Sequence, residues 1–249
     1  SERESGVRYQ ALAYSPDCSE ARLLGARNAT ASSYIASVWP FDAETGRVTS
    51  AVKSYNTGSG PAEDLAWGTD DLGNPAIAVV GAALNTSFAM YLNIEGTWVT
   101  QSTTGWGNIY RIASRPQGDY ALAVTSGSFS TIAVFRQGAW SRPGIALNWP
   151  SQVSFSTDGR RALILGGNTA GRIWEYRHEL LSTSQFTDVS IPNFTQPPYN
   201  ANSNARLRDA AWRPGCDEGL VVGGMNQIAG GQQGFVIYFR VTNGKSCEE

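Results

Sequence analysis

The sequence has few of the residues on which most enzyme chemistry depends. Its 249 residues include one histidine, His178, and three cysteines, with no CxxC pair and no HExxH motif. One histidine cannot supply a multi-histidine metal site, and between Arg177 and Glu179 it is best interpreted as a solvated surface side chain. The chain gives no support to a Ser–His–Asp or Cys–His centre. We therefore expect no bound metal and no cofactor.

Charged residues and long apolar runs are also scarce. Asp, Glu, Lys and Arg make up 16% of the chain, and the formal net charge is −2. No field of the whole protein would attract phosphates, so we expect no nucleic-acid partner. No segment approaches the roughly 18 apolar residues of a transmembrane helix, so we expect no membrane insertion. The chain starts at Ser1 without a signal peptide, which is consistent with a mature or trimmed product.

What the chain does have is 27 glycines and 11% aromatic residues, a composition typical of β-rich proteins with many turns. Residues 152–176 contain one complete unit of three predicted antiparallel strands, at 153–155, 161–165 and 172–176. The first two are joined by the pair Asp158-Gly159, which favours a tight hairpin turn. Three short strands do not bury both of their faces alone, so the unit needs similar neighbours.

The same pattern occurs five times along the chain. The first strand of each repeat ends near Tyr14, Trp67, Ser114, Phe155 and Trp212, at intervals of about 40–60 residues. We expect third strands at 34–39, 88–92, 131–135, 172–176 and 235–239, each preceded by a loop of small residues at 25–28, 81–85, 126–128, 166–168 and 223–226. Outer strands are predicted at 47–53, 97–102, 139–146 and 186–191, with none evident in the last repeat, where the glycine-rich residues 230–234 are interpreted as a loop. Repeats of this length with about four strands are typical of β-propeller blades.

Residues 156–167 (STDGRRALILGG) and 171–176 (GRIWEY) resemble the divergent WD-like propeller repeats found in bacterial proteins. The chain lacks the Gly-His pair and the closing Trp-Asp pair of the true WD repeat. The resemblance implies an all-β, five-bladed β-propeller with mostly four-stranded antiparallel blades in a single domain, residues 1–249. The implied blades are approximately 8–55, 62–104, 109–147, 151–192 and 206–249. A five-bladed ring also resembles propeller lectins and some glycosidases.

The three cysteines leave two interpretations open. Cys18 and Cys216 occupy the same repeat position in the first and last repeats, and Cys247 lies near the end of the chain. A disulfide from Cys247 to either partner would tie down the tail and contribute about 2–4 kcal/mol; the alternative is three unrelated thiols. A disulfide would indicate an extracytoplasmic protein, either secreted or periplasmic.

Polar side chains at the start of the first strands are predicted to line the rim of a central channel. A glycosidase would need two carboxylates about 5–10 Å apart across this channel. The mixture of charges instead favours mutual ion pairing, so we expect no enzyme, and a glycoside hydrolase is the weaker alternative. The rim residues are Glu63, Asp64, Arg111, Gln152, Arg208 and Asp209.

The loops that lead from each outer strand to the next blade combine an aromatic residue with an asparagine. Such pairs suit sugar binding, because the ring stacks on C–H groups and the amide donates and accepts hydrogen bonds. Alternatively, the ring fills the gap between blades and the asparagine stabilises a turn. The sequence thus favours a non-catalytic propeller that presents one loop face to a protein partner, with a lectin-like glycan-binding module as the alternative. The candidate residues are Tyr55, Asn56, Trp106, Asn108, Asn148, Trp149, Asn193, Phe194, Tyr199 and Asn200.

Overall fold

The computed structural model describes residues 7–30, 33–42, 44–48, 53–58, 60–83, 86–93, 95–103, 105–126, 131–142, 147, 149–166, 172–177, 186–188, 204–226 and 232–241. These residues form twenty β-strands in five antiparallel sheets, which we number 1 to 5 in chain order. None of them belongs to a helix long and apolar enough to cross a membrane. The chain divides into two compact units, Ser1–Arg142 and Pro143–Glu249, and each is described by itself.

Sheets 1 to 3 belong to the first unit. Sheet 1 has the order β1-β2-β3, and β4 and β5 both pair with β3. Sheets 2 and 3 are simple four-stranded meanders, β6 to β9 and β10 to β13. The strands are β1 (Val7–Tyr14), β2 (Ala21–Thr30), β3 (Ser33–Asp42), β4 (Arg47–Val48), β5 (Lys53–Gly58), β6 (Ala62–Thr69), β7 (Pro75–Ala83), β8 (Thr86–Leu92), β9 (Trp98–Gln101), β10 (Asn108–Ser114), β11 (Tyr120–Ser126), β12 (Thr131–Arg136) and β13 (Ala139–Ser141).

Sheets 4 and 5 belong to the second unit. Sheet 4 is a four-stranded meander, and sheet 5 has three strands among the described residues. The predicted all-β fold of antiparallel, mostly four-stranded sheets is thus confirmed. The strands are β14 (Pro150–Phe155), β15 (Arg161–Gly166), β16 (Arg172–Arg177), β17 (Phe186–Asp188), β18 (Asn204–Trp212), β19 (Glu218–Asn226) and β20 (Gln232–Arg240).

Middle strands bury both of their faces between neighbouring sheets, as strands in stacked sheets do. In β7, Ile77 and Val79 contribute to the cluster shared with sheet 1, whereas Ala78 and Val80 contribute to the cluster shared with sheet 3. In the second unit, Leu163 and Leu165 of sheet 4 pack with residues of sheet 5, including Val221 and Ile237. Alternating side chains of one strand therefore belong to two different cores.

The turn predicted at Asp158-Gly159 is confirmed. Gly159 has φ +68°, and Ser156 closes the turn by donating its N–H to the Arg161 carbonyl over 2.9 Å. The Asp158 carboxylate accepts hydrogen bonds from the Ser156 hydroxyl and the Arg160 N–H. In sheet 1, the position of Gly159 is occupied by Cys18, which adopts φ +58°. A non-glycine residue in this region is strained.

The small residues predicted to form loops after the second strands belong largely to strands. Gly25 lies within β2, where an added Cβ would be 2.7 Å from the Trp39 ring, and Gly81 lies within β7, where it would be 2.2 Å from the Phe88 ring. These glycines make room for an aromatic side chain of the adjacent strand instead of forming a turn. The loop prediction is therefore wrong at both, and also at residues 232–234, which lie in β20.

The structure describes the predicted outer strand at residues 47–53 only in part, because residues 49–52 lie outside the described residues. Arg47 and Val48 form β4, and Lys53 begins a second outer strand, β5, whose Tyr55 packs on Trp98 of sheet 2 with ring centroids 5.9 Å apart. Both rings of this pair are half-buried, and their contact favours the pairing of β5 with β3. The outer strand of sheet 2, β9, agrees with its prediction to within one residue at each end.

Candidate functional site

The predicted rim residues lie at a β-bulge that recurs in every first strand. The register shifts between Tyr9 and Ala11 in β1, and equivalent shifts occur in β6, β10, β14 and β18. A bulge places one extra residue in the strand and redirects the side chains beside it. Glu63 and Arg208 are the extra residues of their bulges, whereas Asp64, Arg111, Gln152 and Asp209 directly follow a bulge.

Asp64 connects two sheets through its carboxylate. Its Oδ1 accepts the N–H of Leu65 over 3.0 Å, and its Oδ2 accepts the N–H of Ile112 in β10, also over 3.0 Å. Burial raises the pKa of Asp64 to about 6, although the two backbone hydrogen bonds and the charge of Arg111 act in the opposite direction. Burial also raises the pKa of Glu63, again opposed by Arg111. Both Asp64 oxygens are occupied by backbone amides, which makes this carboxylate a structural link.

The same arrangement recurs in the second unit. The Gln152 Oε1 accepts the Val153 N–H over 3.2 Å, and its Nε2 donates to the Asp209 Oδ1 over 3.0 Å. That oxygen also accepts the Ala210 N–H over 2.8 Å. In β6, β14 and β18, a side-chain oxygen of the residue that follows the bulge accepts the next backbone N–H of the same strand. The side chains of Asp64, Gln152 and Asp209 thus accept backbone N–H groups, and Gln152 also donates to Asp209.

Metal-binding residues are not clustered in the part of the chain that the structure describes, where no group of three or more His, Cys, Asp or Glu side chains could hold an ion. Asp70 and Asp71 carry oxygen atoms of the kind that calcium binds, but they belong to an ordinary turn. The Oδ1 of Asp70 accepts the N–H groups of Leu72 and Asn74, over 3.0 and 2.8 Å. This carboxylate is buried and stabilises the β6–β7 turn.

Tyr55 and Asn56, the first aromatic–asparagine pair, both make structural contacts. Tyr55 is half-buried against Trp98, and the Oδ1 of Asn56 accepts hydrogen bonds from the Ser33 hydroxyl and the Gly58 N–H. The two residues lie inside β5 and not in a loop. The Tyr55 ring thus packs between sheets 1 and 2, and the Asn56 amide oxygen bonds to residues of its own sheet.

Trp106 precedes sheet 3, and Asn108 is the first residue of its strand β10. Trp106 packs against the cluster that sheets 2 and 3 share, and the Nδ2 of Asn108 donates to the Tyr110 hydroxyl over 2.9 Å.

Trp149 differs from the other aromatic candidates, because it is 49% exposed and its backbone adopts φ +53°. Among the candidates that the structure describes, Trp149 offers the most accessible aromatic surface. Asn148, Asn193, Phe194, Tyr199 and Asn200 lie outside the described residues.

The cysteines differ in their surroundings. Cys18 is exposed and its thiol is free. Cys216 is buried in the β18–β19 turn, with its sulfur 3.4 Å from the Pro214 carbonyl oxygen. Beside it, the Val241 N–H donates to the Asp217 carbonyl over 3.0 Å, which holds the end of β20 close to this turn. Cys247 lies outside the described residues.

The structure also contains a pocket that sequence reasoning missed. It lies between sheets 1 and 2, has a volume of about 260 Å³, and includes Arg22, Lys53 and Trp67 in its lining. These residues lie on different strands at unrelated sequence spacings, so no local pattern marks them as a group. One feature of the sequence could have drawn attention to this pocket. Trp67 occupies the aromatic position that recurs at the end of the first strand of the repeats.

Comparison with known proteins supports the fold. No family model matches the chain, and no curated protein matches it. Among solved structures, it is similar to the β-propeller domain of Cps50 (Swd1) from Myceliophteria thermophila, with a TM-score of 0.52 and 11% sequence identity. The match covers 90% of this chain and 66% of that one, so the chain spans only part of its neighbour's length. At this identity the likeness concerns the fold alone, which is a β-propeller.

Proposed function

We propose that the chain is a non-catalytic binding propeller that presents the loops at one end of its sheets to a protein partner. The observation that carries this proposal is the use of the rim side chains Asp64, Gln152 and Asp209 as acceptors for backbone N–H groups. A general acid or nucleophile needs a carboxylate that is available to a substrate. Here the strongest carboxylate candidate, Asp64, already binds two amides and links two sheets.

Trp149 is the anchor that we assign to the loop face. Tryptophan is enriched among the residues that dominate binding energy at protein interfaces. The half-exposed ring of Trp149 lies directly before β14, at the strand end opposite the β14–β15 turn. An exposed tryptophan held in a left-handed backbone conformation is a costly arrangement, which is typical of functional positions.

A photo-crosslinking amino acid at position 149, in place of Trp149, tests the partner-binding role. We expect irradiation of the producing cells or their culture fluid to give one discrete protein adduct, identifiable by mass spectrometry. The matched control carries the same group in place of Arg160, which is exposed in the β14–β15 turn at the other end of sheet 4. Equal labelling from both positions, or none from position 149, would contradict the proposal.

The second candidate function is glycan binding, favoured by the accessible ring of Trp149. If it is correct, the variant with Trp106→Ala and Trp149→Ala loses binding on a glycan array while remaining folded. Trp106 packs against a core cluster, so thermal unfolding of the double variant must be measured beside Trp149→Ala alone. An array on which the unaltered protein binds no glycan removes this candidate and leaves the protein partner.

The extracytoplasmic location, the bacterial source of the repeats and the count of five blades belong to the proposal as well. The location is supported by the surroundings of Cys216, which is buried beside the end of β20 and is suited to a structural disulfide. The blade count is supported by the five described sheets, four of which have at least four strands. A crystal structure with another number of blades would refute it.

A further inference from the structure

The pocket between sheets 1 and 2 lies at the strand ends where the first hairpin turns are found. Its lining includes Arg22 at the start of β2, Lys53 at the start of β5 and Asn93 just after β8. The loops assigned to the partner-binding face lie at the other end of these strands. The pocket is therefore a separate site, and a ligand bound in it would be independent of the proposed function.

The floor of the pocket is a row of buried apolar side chains. Trp67, Ile77 and Leu92 lie side by side in register on β6, β7 and β8, with exposures of 3%, 4% and 7%. Val38 of sheet 1 faces them and is 2% exposed. The indole N–H of Trp67 donates to the Ala13 carbonyl over 3.3 Å, which holds the ring in place. The floor is thus preformed, as binding pockets commonly are.

Among the described residues, one of the two basic side chains that line the pocket is paired with an acidic residue and the other is not. Arg22 forms an ion pair with Glu20 over 2.6 Å, and its guanidinium lies 5.5 Å from the centre of the Trp67 ring. Lys53 has no acidic partner among the described residues. Its ammonium lies across Gly96, where an added Cβ would be 2.6 Å from Nζ. One positive charge therefore remains beside an apolar floor.

The size of the pocket limits what it can hold. Its volume of about 260 Å³ is at or below the lower end of the range of small-molecule sites, which is roughly 300–1,000 Å³. This volume suits one large side chain together with the backbone that carries it. The floor requires that side chain to be apolar, and Lys53 requires an anionic group next to it.

We propose that this pocket binds a linear peptide segment of a partner protein, in which an apolar side chain enters the pocket and a neighbouring Asp or Glu faces Lys53. The apolar side chain would contact Trp67, Ile77 and Leu92. The acidic residue would be within two positions of it, because both groups must reach one wall of a small pocket.

Selection from a library of random peptides displayed on phage, against the purified chain, tests the proposal. We expect enriched peptides to share an apolar residue within two positions of an acidic one. A synthetic peptide of that sequence, measured by fluorescence polarisation, should lose about tenfold or more in affinity to Lys53→Glu and little to Lys53→Arg. Arg47→Glu is the matched control, because Arg47 is an exposed cation of the same sheet that does not line the pocket.

NMR of the tryptophan indole N–H groups locates the binding site. The cross-peak of Trp67, assigned by its loss in Trp67→Phe, should shift when the selected peptide is added, whereas that of Trp149 should not. Failure to enrich any such sequence would overturn the inference. So would an equal loss of affinity in Lys53→Glu and Arg47→Glu. A shift of Trp149 alone would place the peptide on the loop face, which refutes this inference and supports the proposed function.

Discussion

Cys18 shows how a single residue carries strain in an otherwise regular turn. Its φ of +58° lies in the region that glycine adopts freely, and Gly118 and Gly159 fill the equivalent turn position with φ +71° and +68°. We expect Cys18→Gly to raise the free energy of unfolding by about 0.5–1 kcal/mol, since relief of strain exceeds the added flexibility of the unfolded chain. Thermal unfolding of Cys18→Ala is the control, because alanine removes the thiol and keeps the strain. Equal changes in melting temperature in the two variants would show that loss of the thiol, and not relief of backbone strain, changes the stability.

Asp64 should make stability depend on pH. Its folded-state pKa of about 6 lies above its ordinary value of 3.8 because the carboxyl is buried. The folded state therefore retains the proton while the unfolded chain loses it. The contribution of this group to the free energy of unfolding is therefore complete below about pH 4, and it decreases as the pH rises to about 6. Urea unfolding across this range should show the fall in the unaltered protein and a clearly smaller fall in Asp64→Asn, because the raised pKa of Glu63 adds a slope of the same sign.

Asp17 provides a control, because its pKa is shifted in the opposite direction from that of Asp64. Hydrogen bonds from the hydroxyl of Ser15 and from Ser19 lower the pKa of Asp17 from 3.8 to about 2. Its contribution is present above about pH 4 and is lost as the pH falls through about 2. Asp17→Asn should thus leave the interval between pH 4 and 6 unchanged. A slope in that interval that is unchanged in Asp64→Asn would contradict the assignment to Asp64, whereas a residual slope that disappears in Glu63→Gln would belong to Glu63.

Strands in this protein use glycine to accept aromatic rings from their neighbours. Gly68 of β6 has an ordinary strand backbone, and an added Cβ would lie 2.6 Å from two atoms of the buried Phe135 ring. We expect Gly68→Ala to destabilise the protein by about 1–3 kcal/mol through overpacking. In β20, an added Cβ at Gly234 would be 3.9 Å from its nearest neighbour, so Gly234→Ala should be neutral or slightly stabilising. Equal melting temperatures for the two variants would refute this packing argument.

At the scale of the whole molecule, we expect one particular pairing of the three cysteines. Cys18 is free, and the bond between the Val241 N–H and the Asp217 carbonyl directs the end of β20 towards Cys216. We therefore expect peptide mapping without reduction to yield Cys216 joined to Cys247, with Cys18 as the alkylated thiol. Reduction should lower stability by about 2–4 kcal/mol. A bridged peptide that contains Cys18, or alkylation of all three cysteines, would contradict the pairing.

Local patterns predicted the β-strands better than they predicted the site. The third strands and the Asp158-Gly159 turn are encoded by alternation and turn residues within a few positions, and both are confirmed. The roles of Gly25 and Gly81 depend on Trp39 and Phe88 in the next strand, so a local rule assigned these glycines to loops. Likewise, the sequence predicted Asp64 as a rim residue but gave no sign that the Ile112 N–H would donate to its carboxylate.

The order of residues alone determined that this chain forms repeated antiparallel sheets and contains a single histidine, because strand alternation, turn chemistry and residue content are local or compositional properties. Only the tertiary structure decided that Asp64 joins two sheets, that Trp149 is exposed, and that Arg22, Lys53 and Trp67 surround one pocket. Each of these facts depends on contacts between strands that are far apart in the chain. Burial and register, which arise only when sheets pack, decide which side chains remain available for binding.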